Sequence, residues 1–175
     1  MSKAILMSIK PKWVKEILNG EKTIEIRKSI PKCELPIDVY IYCTKDKKYA
    51  NLINRGGFLT GMVVARFWCD KVEEIKYHFG YYNMGEWTES YILENSCLTA
   101  EELENYLQAS KEYDEKKISR VYGYAIHITK LEIFDKPKDI SEFLRPQPVW
   151  KTSNNHYYKS YQLTRAPQSY CYVEV

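Results

Sequence analysis

The spacing of apolar positions changes several times along the chain, and each change marks an element. Ala4 to Ile9 is a short apolar run of strand length, which predicts a buried strand. Trp13, Val14, Ile17 and Leu18 then fall on one face at helical spacing. Pro11 fits the first turn of that helix, where a missing N–H costs nothing. Gly20 supplies the left-handed residue that closes it, so the helix is predicted to end at Asn19 or Gly20. From Lys22 to Lys28 the period becomes two. Ile24 and Ile26 point one way, and Thr23, Glu25 and Arg27 point the other. This predicts a half-buried strand that carries a carboxylate and a guanidinium together on its non-core face.

Asp38 to Thr44 also alternates, with Val39, Ile41 and Cys43 on one side and Tyr40, Tyr42 and Thr44 on the other. Leu59 to Trp68 is a third strand. Tyr77 to Cys97 is aromatic and irregular, broken by Gly80 and Gly85, and reads as an inserted excursion. Thr99-Ala-Glu-Glu102 has the capping-box pattern and opens a helix running to about Lys117, with a narrow stripe of Leu103, Tyr106 and Leu107. Val121 to Phe134 is a long strand region. It is followed by Pro137 and a short helical piece through Phe143, a loop from Arg145 to Lys159, and a closing strand from Ser169 to Val175. Helices that do not alternate regularly with strands predict an α+β barrel and argue against a doubly wound sheet. The expected organisation is a single domain over 1–175 with an insertion at about 77–117.

Composition narrows the classes. The chain has 175 residues, the size of one domain, and 45% of them are hydrophobic, enough for a core and too many for disorder. The formal net charge is only +3, so any basic footprint must be local. Sixteen tyrosines offer flat faces suited to base stacking, although an AT-rich coding bias explains the same count. The cysteine count is odd, five, with no C-x-x-C spacing, which signals neither a disulfide framework nor a zinc site. Reduced thiols, no metal and no cofactor are expected, in a cytoplasmic protein. No stretch approaches the ~20 apolar residues of a membrane span, so no membrane association is expected. His78, His127 and His156 stand apart, without metal-ligand spacing.

The candidate chemistry is polar and cationic. A Lys such as Lys22 beside a desolvating cleft can act as base or nucleophile. Glu25 can orient it or accept from a base amino group. Arg27 offers a planar fork for phosphate or a guanine edge. A surface ion pair between Glu25 and Arg27 explains the same spacing without any function. Lys10 and Lys12 sit at the positive end of the first helix, where phosphates are readily held. Arg165, Gln168 and Ser169 place a cation, an amide and a hydroxyl around Pro167, suited to reading a base edge or a sugar. A turn that seats the last strand is the plainer account of that segment.

These residues carry a family likeness. Ser8-Ile-Lys10-Pro-Lys-Trp13, followed by Gly20-Glu-Lys22-Thr-Ile-Glu25-Ile-Arg27, resembles the strand, helix and G-x-K-x-x-E-x-R opening of ASCH domains. Val39 to Thr44, Gly61 to Ala65 and Tyr122 to Ile126 resemble later strands of the family. Arg165-Ala-Pro-Gln-Ser-Tyr-Cys-Tyr-Val173 resembles the tail of longer bacterial and phage members, with Ala166 and Tyr170 as departures. The resemblance implies a PUA-like β-barrel with a short helix after the first strand, and a ligand of RNA or nucleotide type held beside that helix. It places Lys10, Lys22, Glu25, Arg27, Arg165, Gln168 and Ser169 around one cleft. Some small members hydrolyse N4-acyl cytidines or RNA. Those amidohydrolases use a Lys, which matches Lys22, and a Thr, whose position is Glu25 here while Thr23 lies nearby. Their Glu finds no motif around Glu73 and Glu74. Three functions follow: a binding module for RNA or a nucleotide; a hydrolase with Lys22 and Glu25 as its reactive pair; and a protein-interaction module using the aromatic stretch from Tyr77 to Trp87.

Overall fold

The computed structural model describes residues 3–49, 53–54, 57–112, 116, 120–149 and 157–175. In chain order the elements are β1 (Lys3–Ile9), α1 (Pro11–Leu18), β2 (Ile24–Arg27), β3 (Ile37–Cys43), β4 (Ile53–Asn54), β5 (Gly57–Phe58), β6 (Val63–Cys69), β7 (Val72–His78), β8 (Tyr81–Met84), β9 (Trp87–Thr88), α2 (Glu89–Ser96), α3 (Ala100–Leu107), α4 (Ala109–Glu112), β10 (Val121–His127), β11 (Thr129–Lys138), β12 (Leu144–Val149), β13 (Tyr157–Gln162) and β14 (Tyr170–Glu174). The fold is mixed α+β and mostly sheet. Its contacts divide it into two compact units. One comprises Met1–Val14, Ile37–Trp68 and Lys130–Val175; the other comprises Lys15–Pro36 and Cys69–Thr129.

The first unit holds a seven-stranded sheet in the order β11-β6-β3-β1-β14-β12-β13. β1 lies at its centre, parallel to β3 and antiparallel to β14. This position explains the unbroken apolar run of β1, since a central strand covered on both sides buries every side chain from Ala4 to Ile9. β3 is covered in the same way. The expected alternation of inward and outward residues fails there: Tyr40 and Tyr42 are buried along with Val39, Ile41 and Cys43. The two tyrosines join Ala4, Leu6, Val63, Phe134, Phe143, Leu163 and Val173 in one apolar cluster. The loop expected from Arg145 to Lys159 is also corrected. β12 and β13 form an antiparallel pair with Leu144 opposite Gln162 and Arg145 opposite Tyr161. Two prolines in β12 hid this pairing, because proline is tolerated only where a strand has donors to spare.

The second unit holds a five-stranded sheet in the order β2-β10-β7-β8-β9. In antiparallel ladders, residues directly opposite each other share a face. Ile26 lies opposite Ala125, Ile75 opposite both Gly123 and Met84, and Tyr77 opposite Tyr82. That face is apolar, and Ile92 of α2 with Leu103 and Leu107 of α3 completes its cluster. α3 opens with the expected capping box, Thr99 accepting from the Glu102 N–H while the Glu102 carboxylate accepts from the Thr99 N–H. It ends earlier than expected, at Leu107, because Gln108 adopts a left-handed conformation. The irregular excursion turns out to be a β-hairpin, β7–β8, leading into β9 and α2. Both sheets have free edges in their strand order, so the barrel expected from the sequence is not closed.

Candidate functional site

The site in the second unit is set up by the end of α1. Gly20 has φ +79°. The Gly20 N–H donates to the Ile17 carbonyl at 3.0 Å and the Glu21 N–H to the Glu16 carbonyl at 3.0 Å, the two bonds of a Schellman motif. The Lys22 N–H adds a third bond to the Glu16 carbonyl at 3.1 Å. The chain is therefore turned sharply just before Lys22. The Thr23 N–H then donates to the Asn95 carbonyl, and the Thr23 carbonyl accepts from the Ile128 N–H, both at 2.9 Å, which fixes the entry to β2.

With its backbone held at both sides, the Lys22 ammonium reaches both Ser96 and Glu25. It donates to the Ser96 carbonyl at 2.7 Å and lies 3.3 Å from Glu25 Oε2. Ser96 is the last residue of α2, where carbonyls lack intrahelical partners and the helix dipole is negative, so Lys22 caps that helix. The other Glu25 oxygen, Oε1, lies 3.0 Å from Arg27 Nε. The three side chains expose only 2% for Lys22, 8% for Glu25 and 12% for Arg27. Glu25 thus bridges two cations in a nearly dry position. The register puts Glu25 opposite Ile126 and Arg27 opposite Tyr124, away from Ile24 and Ile26 as the alternation predicted, but Ile126 is itself buried, so this face of β2 is covered as well and the half-buried strand expected is not seen. The near-complete burial of Lys22 and Glu25 was not foreseen.

Register adds groups that sequence reasoning missed. Tyr124 lies opposite Arg27 on β2 and opposite Glu74 on β7, so the three share one face. Glu74 in turn pairs with Lys76 at 3.2 Å. The sequence placed Tyr124 in the long strand region from Val121 to Phe134, but nothing local shows which strand it faces. Thr23, the residue nearest the family's threonine, donates its hydroxyl to Asn95 Oδ1 at 2.7 Å. Glu73 points to the opposite face, where the His127 Nε2 lies 2.7 Å and the Lys71 ammonium 3.0 Å from its two oxygens. Burial raises the Glu73 carboxyl, but these two partners outweigh it and hold the group below its ordinary value of 4.5.

Lys10, Arg165, Gln168 and Ser169 belong to the first unit and gather at the end of β1. The Ser8 N–H donates to the Ser169 carbonyl at 2.9 Å and the Ser8 hydroxyl to the Pro167 carbonyl at 2.7 Å. This pins the 167–169 turn beside the strand that Lys10 leaves. Lys10, Arg165 and Gln168 are exposed there. Lys12 is exposed as well, its ammonium 4.1 Å from the ring centre of the half-buried Trp13. The five cysteines are free thiols; burial pushes Cys43 up to about 12 and Cys69 up to about 11. No helix among the described residues is long and apolar enough to cross a membrane.

Solved structures of similar fold come from Zymomonas mobilis. The crystal structure of its ASCH protein superposes with a TM-score of 0.51 at 13% identity, covering 98% of this chain and 87% of that one. A serine-to-alanine variant of the same protein gives 0.51 at 13% identity over 89% and 87%. At that identity the likeness is one of fold. Among curated proteins, none matches this sequence. The ASCH domain family matches residues 7–132, well over half of the chain and including the whole Lys22–Glu25–Arg27 cluster, so the chain belongs to the ASCH domain family, whose PUA-type fold is of the RNA-binding kind.

Proposed function

We propose that this protein binds RNA or a nucleotide, with Lys22, Glu25 and Arg27 as the recognition centre. The observation that carries the reading is the burial of three charges within six residues, on β2 and the turn that leads into it. Removing two cations and a carboxylate from water costs several kcal/mol per ion, and apolar residues of similar volume would fold as well or better. Such an arrangement is retained where preorganised charge is used. Glu25 holds the Arg27 guanidinium on this face by charge, 3.0 Å from Nε, and a guanidinium fork suits a phosphate or a guanine edge. Tyr124, the cross-strand neighbour of Arg27, offers a ring for base stacking. Lys22 is spent on Glu25 and on the end of α2, the role of an orienting cation. Lys10, Arg165 and Gln168 in the other unit have the same ligand chemistry.

The test is titration of single-stranded RNA and of mononucleotides into the purified protein at several salt concentrations. Affinity is expected to fall as salt rises. Arg27→Ala is expected to weaken binding by ~1–3 kcal/mol, the range of a hydrogen bond to a charged group. Affinity unchanged in both Arg27→Ala and Tyr124→Ala overturns the reading. Turnover of an N4-acylated cytidine, lost in Lys22→Ala, would replace it with the hydrolase reading.

A further inference from the structure

The tip of the β7–β8 hairpin carries aromatic rings that its own core does not use. Phe79 is 81% exposed and Tyr81 68%, whereas Tyr82 and Met84 further along β8 are packed. Phe79 stands at φ 51° and Gly80 at φ 87°, in the two-residue turn between His78 and Tyr81. Such a turn favours Asn, Asp or Gly, and a bulky side chain there adds backbone strain. Neither the turn nor the core accounts for an aromatic ring at that position, and a strained residue held in the open points to a use. The rings form one group. The His78 and Phe79 ring centres lie 3.9 Å apart, and Tyr81 stands directly opposite His78 in the ladder.

Register joins this group to the charged cluster. Side chains opposite each other in a ladder, and those two apart along a strand, share a face. Arg27 stands opposite Tyr124, and Tyr124 opposite Glu74. Along β7, Lys76 and His78 follow Glu74 on that face, the Lys76 ammonium 3.2 Å from Glu74 Oε2. Across the hairpin, Asn83 stands opposite Lys76 and Tyr81 opposite His78. One face of this sheet therefore leads from Arg27 and Tyr124 to the aromatic tip. Four residues of strand separate Glu74 from His78, a span of about 13 Å. From Ile75 to Gly85 the chain carries no carboxylate, and that of Glu74 is matched by Lys76. Exposed rings on such a face suit nucleobases, because every base has a π-face. Bases reach a ring only where they are unpaired. A base stacked on Tyr124 leaves the tip for a later nucleotide of the same strand. We propose that the ligand is a single-stranded oligonucleotide, which runs along this face from the Lys22–Glu25–Arg27 cluster to the hairpin tip and stacks its bases on Phe79 and Tyr81. This rests on the reading of the cluster as a nucleotide site, and it adds the tip as a second contact that only a polymer reaches.

The test titrates the full-length protein with adenosine monophosphate, with hexa-adenylate RNA and with a fully paired RNA duplex. Proteins compared are the parent, Phe79→Asn, Tyr81→Ala and Arg27→Ala. Asn tolerates the left-handed turn, so Phe79→Asn folds, and circular dichroism checks all four. Hexa-adenylate is expected to bind the parent more tightly than the monophosphate. Phe79→Asn and Tyr81→Ala are each expected to weaken the hexamer by about fivefold or more, the low end of base–aromatic stacking, and to leave the monophosphate unchanged. Arg27→Ala is expected to weaken both. Equal affinity of the parent for hexamer and monophosphate overturns the proposal and leaves the cluster reading standing. A hexamer affinity unchanged in both tip variants does the same. Duplex bound as tightly as the hexamer overturns the single-strand assignment. Hexamer binding that needs the tip but not Arg27 overturns the shared path and the cluster reading with it, and no binding of either ligand overturns both.

Discussion

At the scale of single residues, the contrast between two ion-pair groups shows what burial does. Arg66 sits 2.7 Å from Glu132 and 3.4 Å from Asp38, but Glu132 is exposed and the other two are only half-buried. Glu132→Ala is expected to change stability by less than about 1 kcal/mol, since exposed pairs gain little over their hydrated states. Glu25→Ala leaves two cations buried without their shared carboxylate, and urea unfolding is expected to register a loss of about 3–5 kcal/mol. Glu73 gives a pH test. Its folded carboxyl lies below the ordinary value of 4.5, so it stabilises the fold above that range and the contribution is lost as pH falls through the folded value. The stability gap between the parent and Glu73→Gln is therefore expected to be widest near neutrality and to narrow below pH 4.5. A gap that widens in acid contradicts this. Thiol alkylation followed by mass spectrometry supplies another check. Cys43 and Cys69, buried and raised to about 12 and about 11, are expected to stay unlabelled in native protein at pH values where the half-buried Cys33 and Cys97 react.

At the scale of elements, two glycines hold the geometry of the cluster. Gly20 has open space around it but a left-handed φ, so Gly20→Ala is expected to cost about 1–2 kcal/mol through backbone strain alone. It also loosens the turn that aims Lys22. Gly123 is the reverse case. A Cβ there would stand 2.7 Å from Leu107 Cδ2 and 3.2 Å from the Arg27 carbonyl, so Gly123 lets α3 and β2 approach β10. Gly123→Ala is expected to destabilise by about 1–3 kcal/mol through overpacking. In a double-mutant cycle with Leu107→Ala the two costs should fall short of additivity, because the smaller side chain makes room for the methyl group. Additive costs would place the strain elsewhere. Gly20 stood out in the sequence as a helix terminator, whereas Gly123 was only one residue of the family-like strand from Tyr122 to Ile126. Only the packing shows that one is needed for its φ and the other for its lack of a Cβ.

At the scale of the whole molecule, the excursion is part of a core. Ile92, Leu103 and Leu107 pack on Ile24 and Ile26 of β2 and on Ala125 of β10, which come from distant parts of the chain. The segment 77–117 made alone lacks that base. It is expected to show no cooperative unfolding, while a chain without it exposes Ile24, Ile26 and Ile75 and aggregates. A stable fold from the isolated segment would contradict both expectations. Excess charge is also distributed at this scale. The net +3 conceals a stretch, residues 77–108, of purely acidic charge within a chain whose 26 Lys and Arg all lie elsewhere.

The sequence by itself determined whatever depends on a few neighbouring residues. α1 with its Pro11 start and Gly20 stop, the polarity of β2, the capping box at Thr99 and the placing of Lys22, Glu25 and Arg27 together were all readable, because caps and period-two alternation are local. Tertiary structure decided the rest. That β1 and β3 are buried on both faces, that β12 and β13 pair, and that the sheets keep open edges depends on which strands become neighbours. The same holds within the site. Lys22 meets a carbonyl 74 positions away, and Tyr124 meets Arg27 only through the register of β10 on β2. Such contacts leave no periodic trace in the chain, because they are set by strand pairing and shared burial over long separations.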